Sequence, residues 1–162
     1  MTTTTSNPPA LPERSGDHPK TGPEIPHQQL SQIAPVWLQE ELWHRMTGLE
    51  GVRPGRSHVS LPDTRALHLD PRLATGPGDA FFTGTEFAHL HGASDGSLHL
   101  MLPVSVAGDA IDKGWSELHP VARRGAAPPT LVMLYGPRDE AELEVVWRLV
   151  QTSYAFARGE VG

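Results

Sequence analysis

Two short stretches in the middle of the chain alternate between apolar and other side chains, a pattern typical of β-strands with one buried face. The stretches EFAHLH, residues 86–91, and SLHLML, residues 97–102, are separated by GASDG, which predicts a five-residue hairpin loop. One face of the predicted hairpin carries Ala88, Leu90, Leu98, Leu100 and Leu102, and we expect this face in the core. The other face carries Phe87, His89, His91, Ser97, His99 and Met101. In this register His89 lies directly opposite His99, so the pattern predicts that His89, His91 and His99 meet away from the leucines.

Apolar residues recur at helical spacing in three other segments. These segments begin near residues 31, 104 and 139 and carry Leu38, Leu42, Met46 and Leu49; Val104, Ala107 and Ile111; and Leu143, Val146, Trp147, Val150 and Tyr154. Asp139, with Glu142 three residues later, is a predicted N-terminal cap of the last helix. Further strands are predicted in RALHLD and PTLVMLYG, and Pro120 favours an extended backbone at the end of SELHP. The order of elements predicts the α+β class, with an antiparallel sheet, helices packed on one face, the other face more open, and a helix at each end of the domain.

The N-terminal part of the chain has a different composition. Residues 1–28 are rich in threonine, proline, serine and charged residues, and they contain few apolar side chains that would offset the entropy lost on ordering. We therefore expect a disordered tail over residues 1–28, and we exclude His18 and His27 from the candidate site with it. Residues 29–162 are predicted to form a single domain.

Composition narrows the classes of function. A chain of 162 residues, 38% of them hydrophobic, can bury one core. Its net charge of −6 argues against nucleic acid or an anionic membrane as the partner, and no apolar run approaches the length of a membrane span. We expect a cytoplasmic protein whose partner is a small-molecule ligand; the oligomeric state is not predicted. The chain has no cysteine, so a metal site would have to use histidine, aspartate or glutamate.

The histidines are the strongest candidates for chemistry. In SELHP, Glu117 and His119 are two residues apart and point to the same side of an extended segment. The candidate catalytic residues are His89, His91, His99, Glu117 and His119. Three interpretations stay open: polar histidines bonded to one another, to Ser97 and to water without a function; a metal site; and a metal-free acid–base site.

The sequence favours the absence of a tightly bound metal, and His89, His91 and His99 are the candidate ligands if one binds. Two neighbouring carboxylates are given ordinary roles. Glu86 is interpreted as a solvated carboxylate at a strand end, and Asp95 as a turn residue.

Several motifs in combination resemble the luciferase domain family, which is found in actinobacteria and fungi. These are EFAHLHGASDGSLHL, KGWSELHP and LVMLYGPRDEAELEVVWRLVQTSYAFA, and the resemblance covers residues 65–158. The family name implies light-emitting oxidation but identifies no cofactor. Two functions are therefore expected: a small oxidoreductase or monooxygenase-like enzyme with a histidine-lined site on the open sheet face, or a non-catalytic domain that binds a ligand or a partner.

Overall fold

The structure, a computed structural model, describes residues 10–162 of the chain. Over that range six strands form one antiparallel sheet in the order β1-β2-β3-β4-β6-β5. The strands are β1 (Val52–Arg56), β2 (Arg65–Leu69), β3 (Glu86–Leu90), β4 (Leu98–Met101), β5 (Ser116–Leu118) and β6 (Leu131–Leu134). The helices are α1 (Val36–Thr47), α2 (Val104–Asp112), α3 (Pro120–Arg123) and α4 (Glu140–Ala157). The predicted α+β class, with a helix at each end of the domain, is confirmed.

The core lies between the leucine face of the sheet and the two terminal helices. Helix α4 packs across β3 and β4, and α1 packs against α4 and β1. Leu98 and Leu100 are fully buried in this core, as the hairpin pattern predicts. The side chain of Asp139 accepts a hydrogen bond from the Glu142 N–H at the start of α4, which confirms the predicted cap.

Strand β1 is an element that the sequence pattern does not predict. Its residues, VRPGR, read as a loop because they contain proline and glycine and no alternating apolar side chains. The strand lies at the edge of the sheet, and most of its side chains are exposed. An edge strand needs no buried face and can accommodate proline, so its sequence lacks the signal that reveals β3 and β4.

A β-bulge changes which side chains of β3 share a face. Leu67 pairs with Ala88, but the next residue of β2, His68, pairs with Glu86, so Phe87 is the extra residue. Phe87 packs in the core and its ring faces that of Tyr154 on α4, with 6.1 Å between the ring centroids. The expectation that Phe87 shares a face with His89 is therefore wrong, because alternation is interrupted at the bulge.

Residues 10–28 pack against the domain, so the predicted disorder of residues 1–28 does not describe this part of them. Leu11 is buried, the Trp115 indole N–H donates to the carbonyl oxygen of Pro12 at 2.7 Å, and the Arg14 N–H donates to that of Lys113 at 2.9 Å. The segment contributes few apolar side chains, but it hydrogen-bonds polar groups of the domain, an effect that composition does not capture. Residues 1–9 of the predicted tail lie outside the described residues.

Within residues 10–162, none of the helices combines the length and the apolarity that crossing a bilayer requires.

Candidate functional site

On the sheet face opposite the leucines, five histidines form what we call the histidine cluster: His27, His89, His91, His99 and His119. His99, on β4, is at its centre. As predicted, His99 pairs directly with His89 of β3. His89 Nε2 and His91 Nε2 lie 3.2 and 3.0 Å from His99 Nδ1. On the other side of the ring, His99 Nε2 lies 2.9 Å from His27 Nδ1.

The two remaining candidates predicted from SELHP lie beside these rings. His119 precedes α3, and its Nδ1 accepts a hydrogen bond from the Val121 N–H at 3.1 Å, so this histidine caps the short helix. Its ring centroid lies 4.8 Å from that of His99. Glu117 Oε2 lies 3.0 Å from His27 Nε2. The structure therefore brings all five predicted residues to one place.

His27 is the site residue that sequence analysis excluded. It belongs to the segment before α1, is only 4% exposed and lies between His99 and Glu117. No periodic pattern marks it, because its segment is neither helix nor regular strand. The exclusion of His27 was wrong because a short irregular segment can be ordered by hydrogen bonds to the groups that it covers.

Glu86 and Asp95 are also part of the site, contrary to their predicted roles. Glu86 is fully buried, with Oε2 2.8 Å from His89 Nδ1, because the bulge at Phe87 turns its side chain onto the histidine face. Asp95 is 4% exposed and accepts hydrogen bonds from the backbone N–H and the hydroxyl of Ser97. The solvated strand-end carboxylate and the simple turn residue are therefore both corrected to buried hydrogen-bond acceptors.

The carboxylates fix the positions of protons on the rings. A carboxylate can only accept, so His89 carries its proton on Nδ1, towards Glu86. By the same reasoning His27 carries its proton on Nε2, towards Glu117. The Ser97 hydroxyl donates a hydrogen bond to Asp95. His91 Nδ1 lies 2.9 Å from the oxygen of that hydroxyl and donates a hydrogen bond to it. In the neutral form of each ring, the second nitrogen, which is His89 Nε2, His91 Nε2 or His27 Nδ1, presents a lone pair to His99.

Burial favours the uncharged form of these rings. It lowers the pKa of His99 well below its ordinary value, and the neighbouring histidines lower it further. Burial also lowers the pKa of His89, although the hydrogen bond to Glu86 opposes this. The pKa of His119 falls to about 4, again mainly through burial. These three rings are therefore neutral near pH 7.

For the three carboxylates of the site, hydrogen bonds together affect the pKa more than burial does. Burial raises the pKa of Glu86, of Asp95 and of Glu117, but hydrogen bonds outweigh burial and leave each pKa below its ordinary value. The hydrogen bonds come from His89 to Glu86, from the backbone and hydroxyl of Ser97 to Asp95, and from His27, Tyr135 and Thr21 to Glu117. His91 Nδ1 also lies 3.5 Å from an oxygen of Asp95. All three groups are therefore ionised near pH 7.

A cavity of about 540 Å³ lies over the histidine cluster. Its polar lining includes His89, His91, His99 and His119, and its apolar lining includes Val59, Leu61, Phe81, Phe82, Met101 and Leu131. The ring of Phe82 lies 4.8 Å from that of His89, centroid to centroid. This volume falls within the range of small-molecule sites, roughly 300–1,000 Å³. The fold and the site thus define an α+β domain with a mainly apolar cavity that contacts buried histidines.

His68, which lies on β2, does not join the cluster. Its Nε2 lies 2.9 Å from the carbonyl oxygen of Arg56, and its ring lies near that of His58. His44 is exposed on α1. These histidines offer comparison positions outside the site.

Comparison with known proteins connects this domain to a named family. Residues 84–153 match the family model described as "Luciferase domain", which confirms over that range the resemblance seen in the sequence motifs. The matched range contains all of the predicted site residues and excludes His27.

The chain is similar to fungal proteins named "Luciferase". It is 32% identical to one from Armillaria gallica and 31% identical to one from Armillaria mellea, each in an alignment of 165 positions that covers 91% of this chain. A protein of that name from Neonothopanus nambi is 40% identical over 76 residues, 46% of this chain and 28% of its own length. The chain spans 61% of the length of the two Armillaria relatives. No solved structure matches this chain.

Proposed function

We propose that this chain is a small oxidoreductase that oxidises a small, mainly apolar organic molecule with dioxygen in the cavity over the histidine cluster. One observation carries the proposal: buried histidines contact a cavity whose other walls are largely apolar. The relatives named "Luciferase" favour oxidation as the reaction class, since that name implies light-emitting oxidation.

The cavity walls select the substrate. Phe81, Phe82, Met101 and Leu131 favour an aromatic or hydrocarbon body and exclude water from around it. The histidines favour an ionisable polar group at one end of that body, because their ring nitrogens can donate hydrogen bonds to such a group or accept them from it. We therefore expect a ligand of one or two rings that carries a hydroxyl group.

The histidines suit the formation of a substrate anion. His119 accepts the Val121 N–H through Nδ1, so the proton of its neutral ring is on Nε2, where it can donate to a substrate oxygen. The lone pairs of His89 Nε2 and His91 Nε2 can take up a cation, either the proton of the substrate or a metal ion. The balanced reaction consumes one dioxygen per substrate, with both oxygen atoms in the product or with hydrogen peroxide as a second product.

The test uses a set of aromatic hydroxy compounds with the full-length protein. Compounds that raise its melting temperature are then assayed for oxygen consumption, hydrogen peroxide and light in air-saturated buffer. We expect at least one binder to be oxidised. We expect His119→Ala, which removes the proposed donor to the substrate oxygen, to reduce the rate by roughly 100-fold or more, a typical contribution of positioned acid–base groups. His44→Ala, at an exposed position on α1, is the matched control and should leave the rate unchanged.

Binding without oxygen consumption would contradict the proposal and would identify a non-catalytic ligand-binding domain. Absence of any binder or oxygen consumption across the set would contradict the proposed substrate class. The expected cytoplasmic location and the expected absence of a nucleic-acid or membrane partner stay predictions from composition.

A further inference from the structure

We propose that His89, His91 and His99 bind one divalent transition-metal ion through His89 Nε2, His91 Nε2 and His99 Nδ1. The sequence favours the absence of a tightly bound metal, whereas the arrangement of the side chains points to a metal centre. The inference goes beyond the proposed oxidation and does not depend on it, because it rests on the ring nitrogens and their partners.

The three nitrogens converge on one point. His89 Nε2 and His91 Nε2 lie 3.2 and 3.0 Å from His99 Nδ1, and all three ligand atoms lie within 4.8 Å of one another. Nitrogens bound to one ion at 2.0–2.1 Å in tetrahedral geometry are about 3.3 Å apart. The two separations from His99 Nδ1 are therefore close to those of a coordination shell.

The second nitrogen of each ring leads to a carboxylate. His89 Nδ1 contacts Glu86 directly, at 2.8 Å. His91 Nδ1 reaches Asp95 through the Ser97 hydroxyl, with 2.9 Å between the His91 and Ser97 atoms.

His99 makes the third connection through a second ring. Its Nε2 lies 2.9 Å from His27 Nδ1, and His27 Nε2 lies 3.0 Å from Glu117. Metal-bound histidines typically donate their other N–H to a carboxylate or a similar acceptor, which orients the ring and increases its basicity. All three rings have such a partner.

Counting protons explains why a cation fits at the point of convergence. His89 and His91 carry their protons on Nδ1, so both Nε2 atoms present lone pairs to His99 Nδ1. Among residues 10–162, no further donor hydrogen-bonds these three nitrogens. One proton on His99 Nδ1 cannot form a linear hydrogen bond to both neighbours at once.

A metal ion at the same place accounts for every proton. With the ion on His99 Nδ1, the proton of that ring is on Nε2 and is donated to His27 Nδ1. His27 then donates from Nε2 to Glu117, which also accepts the hydroxyls of Tyr135 and Thr21. No lone pair is then opposed to another, and the carboxylates lie where they offset the charge of the ion.

A second group of histidines, His27, His99 and His119, is less suitable. His119 Nδ1 accepts the Val121 N–H, which leaves the proton on Nε2 and no free lone pair on the ring. His27 and His99 face each other at 2.9 Å, as a hydrogen-bonded pair does. This geometry assigns them to the hydrogen-bond connection with Glu117 rather than to a second metal.

The ligand set limits the identity of the metal. Imidazole nitrogens favour Zn²⁺, Fe²⁺, Ni²⁺ and Cu²⁺ over Mg²⁺ and Ca²⁺, which favour oxygen. Three protein ligands leave at least one position for a substrate or a water molecule. Since the three histidines also line the cavity, that position faces the space where the substrate is proposed to bind.

The test begins with full-length protein that carries no histidine tag. Its metal content is measured after purification, and chelator-stripped protein is titrated separately with Zn²⁺, Fe²⁺, Cu²⁺ and Co²⁺. We expect one ion per chain, a higher melting temperature in its presence, and a visible absorption spectrum of the Co²⁺ form that indicates nitrogen ligands.

Three variants locate the ion. His99→Ala and His91→Asn should each lose stoichiometric binding, and using both guards against failure of one to fold. Glu86→Gln should weaken binding by about 10- to 100-fold, as expected when a carboxylate partner of a ligand is lost. His44→Ala, the exposed matched control, should bind as the unmodified protein does.

Failure of all four ions to bind or to raise the melting temperature would overturn the metal site. Binding that survives His99→Ala or His91→Asn would overturn the assignment of ligands. The proposed oxidation fails separately: stoichiometric metal without oxygen consumption contradicts the reaction alone, and oxygen consumption by a protein that binds none of the four ions contradicts the metal site alone.

Discussion

The two faces of the β3–β4 hairpin are both buried, yet they are stabilised in different ways. On one face Leu98 and Leu100 fill the core beneath α4, where the stabilisation comes from the apolar surface that they bury. On the other face His89 and His99 are buried polar groups, which are tolerated because their ring nitrogens have partners. Burial on this hairpin is therefore stabilised by apolar contacts on one side and by hydrogen bonds between polar side chains on the other.

The two faces also differ in where their partners come from. The leucine face packs mainly on one helix, whereas the histidine face needs His27 from 72 residues before His99 and Glu117 from the strand at the far edge of the sheet. We therefore expect substitutions on the leucine face to change stability and leave ligand binding unchanged. Changes around the histidines should affect binding more strongly than stability.

The largest effect on stability is expected from Leu100→Ala. Removing a fully buried leucine side chain should lower the free energy of unfolding by about 2–5 kcal/mol, because apolar burial is lost and a cavity remains. Chemical denaturation measures the change, and metal titration of the folded variant should still give one ion per chain. Leu30→Ala, at a leucine that is 60% exposed, is the matched control and should change stability by less than about 0.5 kcal/mol. Equal losses in the two variants would contradict this account of the leucine face.

A smaller effect is expected from deletion of residues 1–28. The deletion removes the contacts of Leu11, Arg14 and His27, and hydrogen bonds of this kind contribute about 1 kcal/mol each. The deletion also removes the entropy cost of ordering this segment on folding, so the net loss should be about 1–3 kcal/mol, together with weaker metal binding. A second chain that lacks only residues 1–9 retains these contacts. If the two shortened chains melt at the same temperature, residues 10–28 contribute nothing to stability, which would contradict this prediction.

The smallest effect is expected from the share of the pH dependence that His119 contributes, because His119 is a single half-buried side chain. The pKa of His119 is about 4 in the folded protein, against an ordinary value of 6.5. Between these values the unfolded chain binds a proton that the folded chain does not, so stability falls as the pH is lowered from about 6.5 towards 4. His119→Asn keeps a side-chain acceptor for the Val121 N–H and removes the titration. Melting temperatures of both proteins across this range, with chelator present, should fall more steeply for histidine, and parallel curves would exclude this role.

The parts of the fold that local sequence determines could be predicted. The pairing of His89 with His99 follows from alternation and from a loop of glycine and small polar residues, both of which act within a few residues. The cap at Asp139 likewise depends on Glu142, only three residues away. Strand β1 could not be predicted, because an exposed edge strand leaves no apolar pattern.

The same distinction between local and distant determinants applies to the residues of the candidate site. His89, His91 and His99 could be placed together because they lie on one hairpin. The burial of Glu86 depends on the bulge at Phe87 in β3. The burial of Asp95 depends on the conformation of the β3–β4 loop, in which it binds Ser97. The alternation of apolar and polar residues indicates neither feature. His27 depends on a contact across 90 residues with Glu117, for which the local sequence contains no signal.

The position of His27 has a consequence for how the protein is made. Its ring is synthesised before α1, but Glu117 follows it by 90 residues and β6 pairs with both β4 and β5 only after that. Contacts of such long sequence separation form late in folding, since a long loop must close first. On a ribosome, the β3–β4 hairpin can form while the connection from His99 to Glu117 is still incomplete, and α4, which covers the leucine face, is synthesised later still. An emerging chain should therefore acquire its full affinity for metal only after most of the domain has left the exit tunnel.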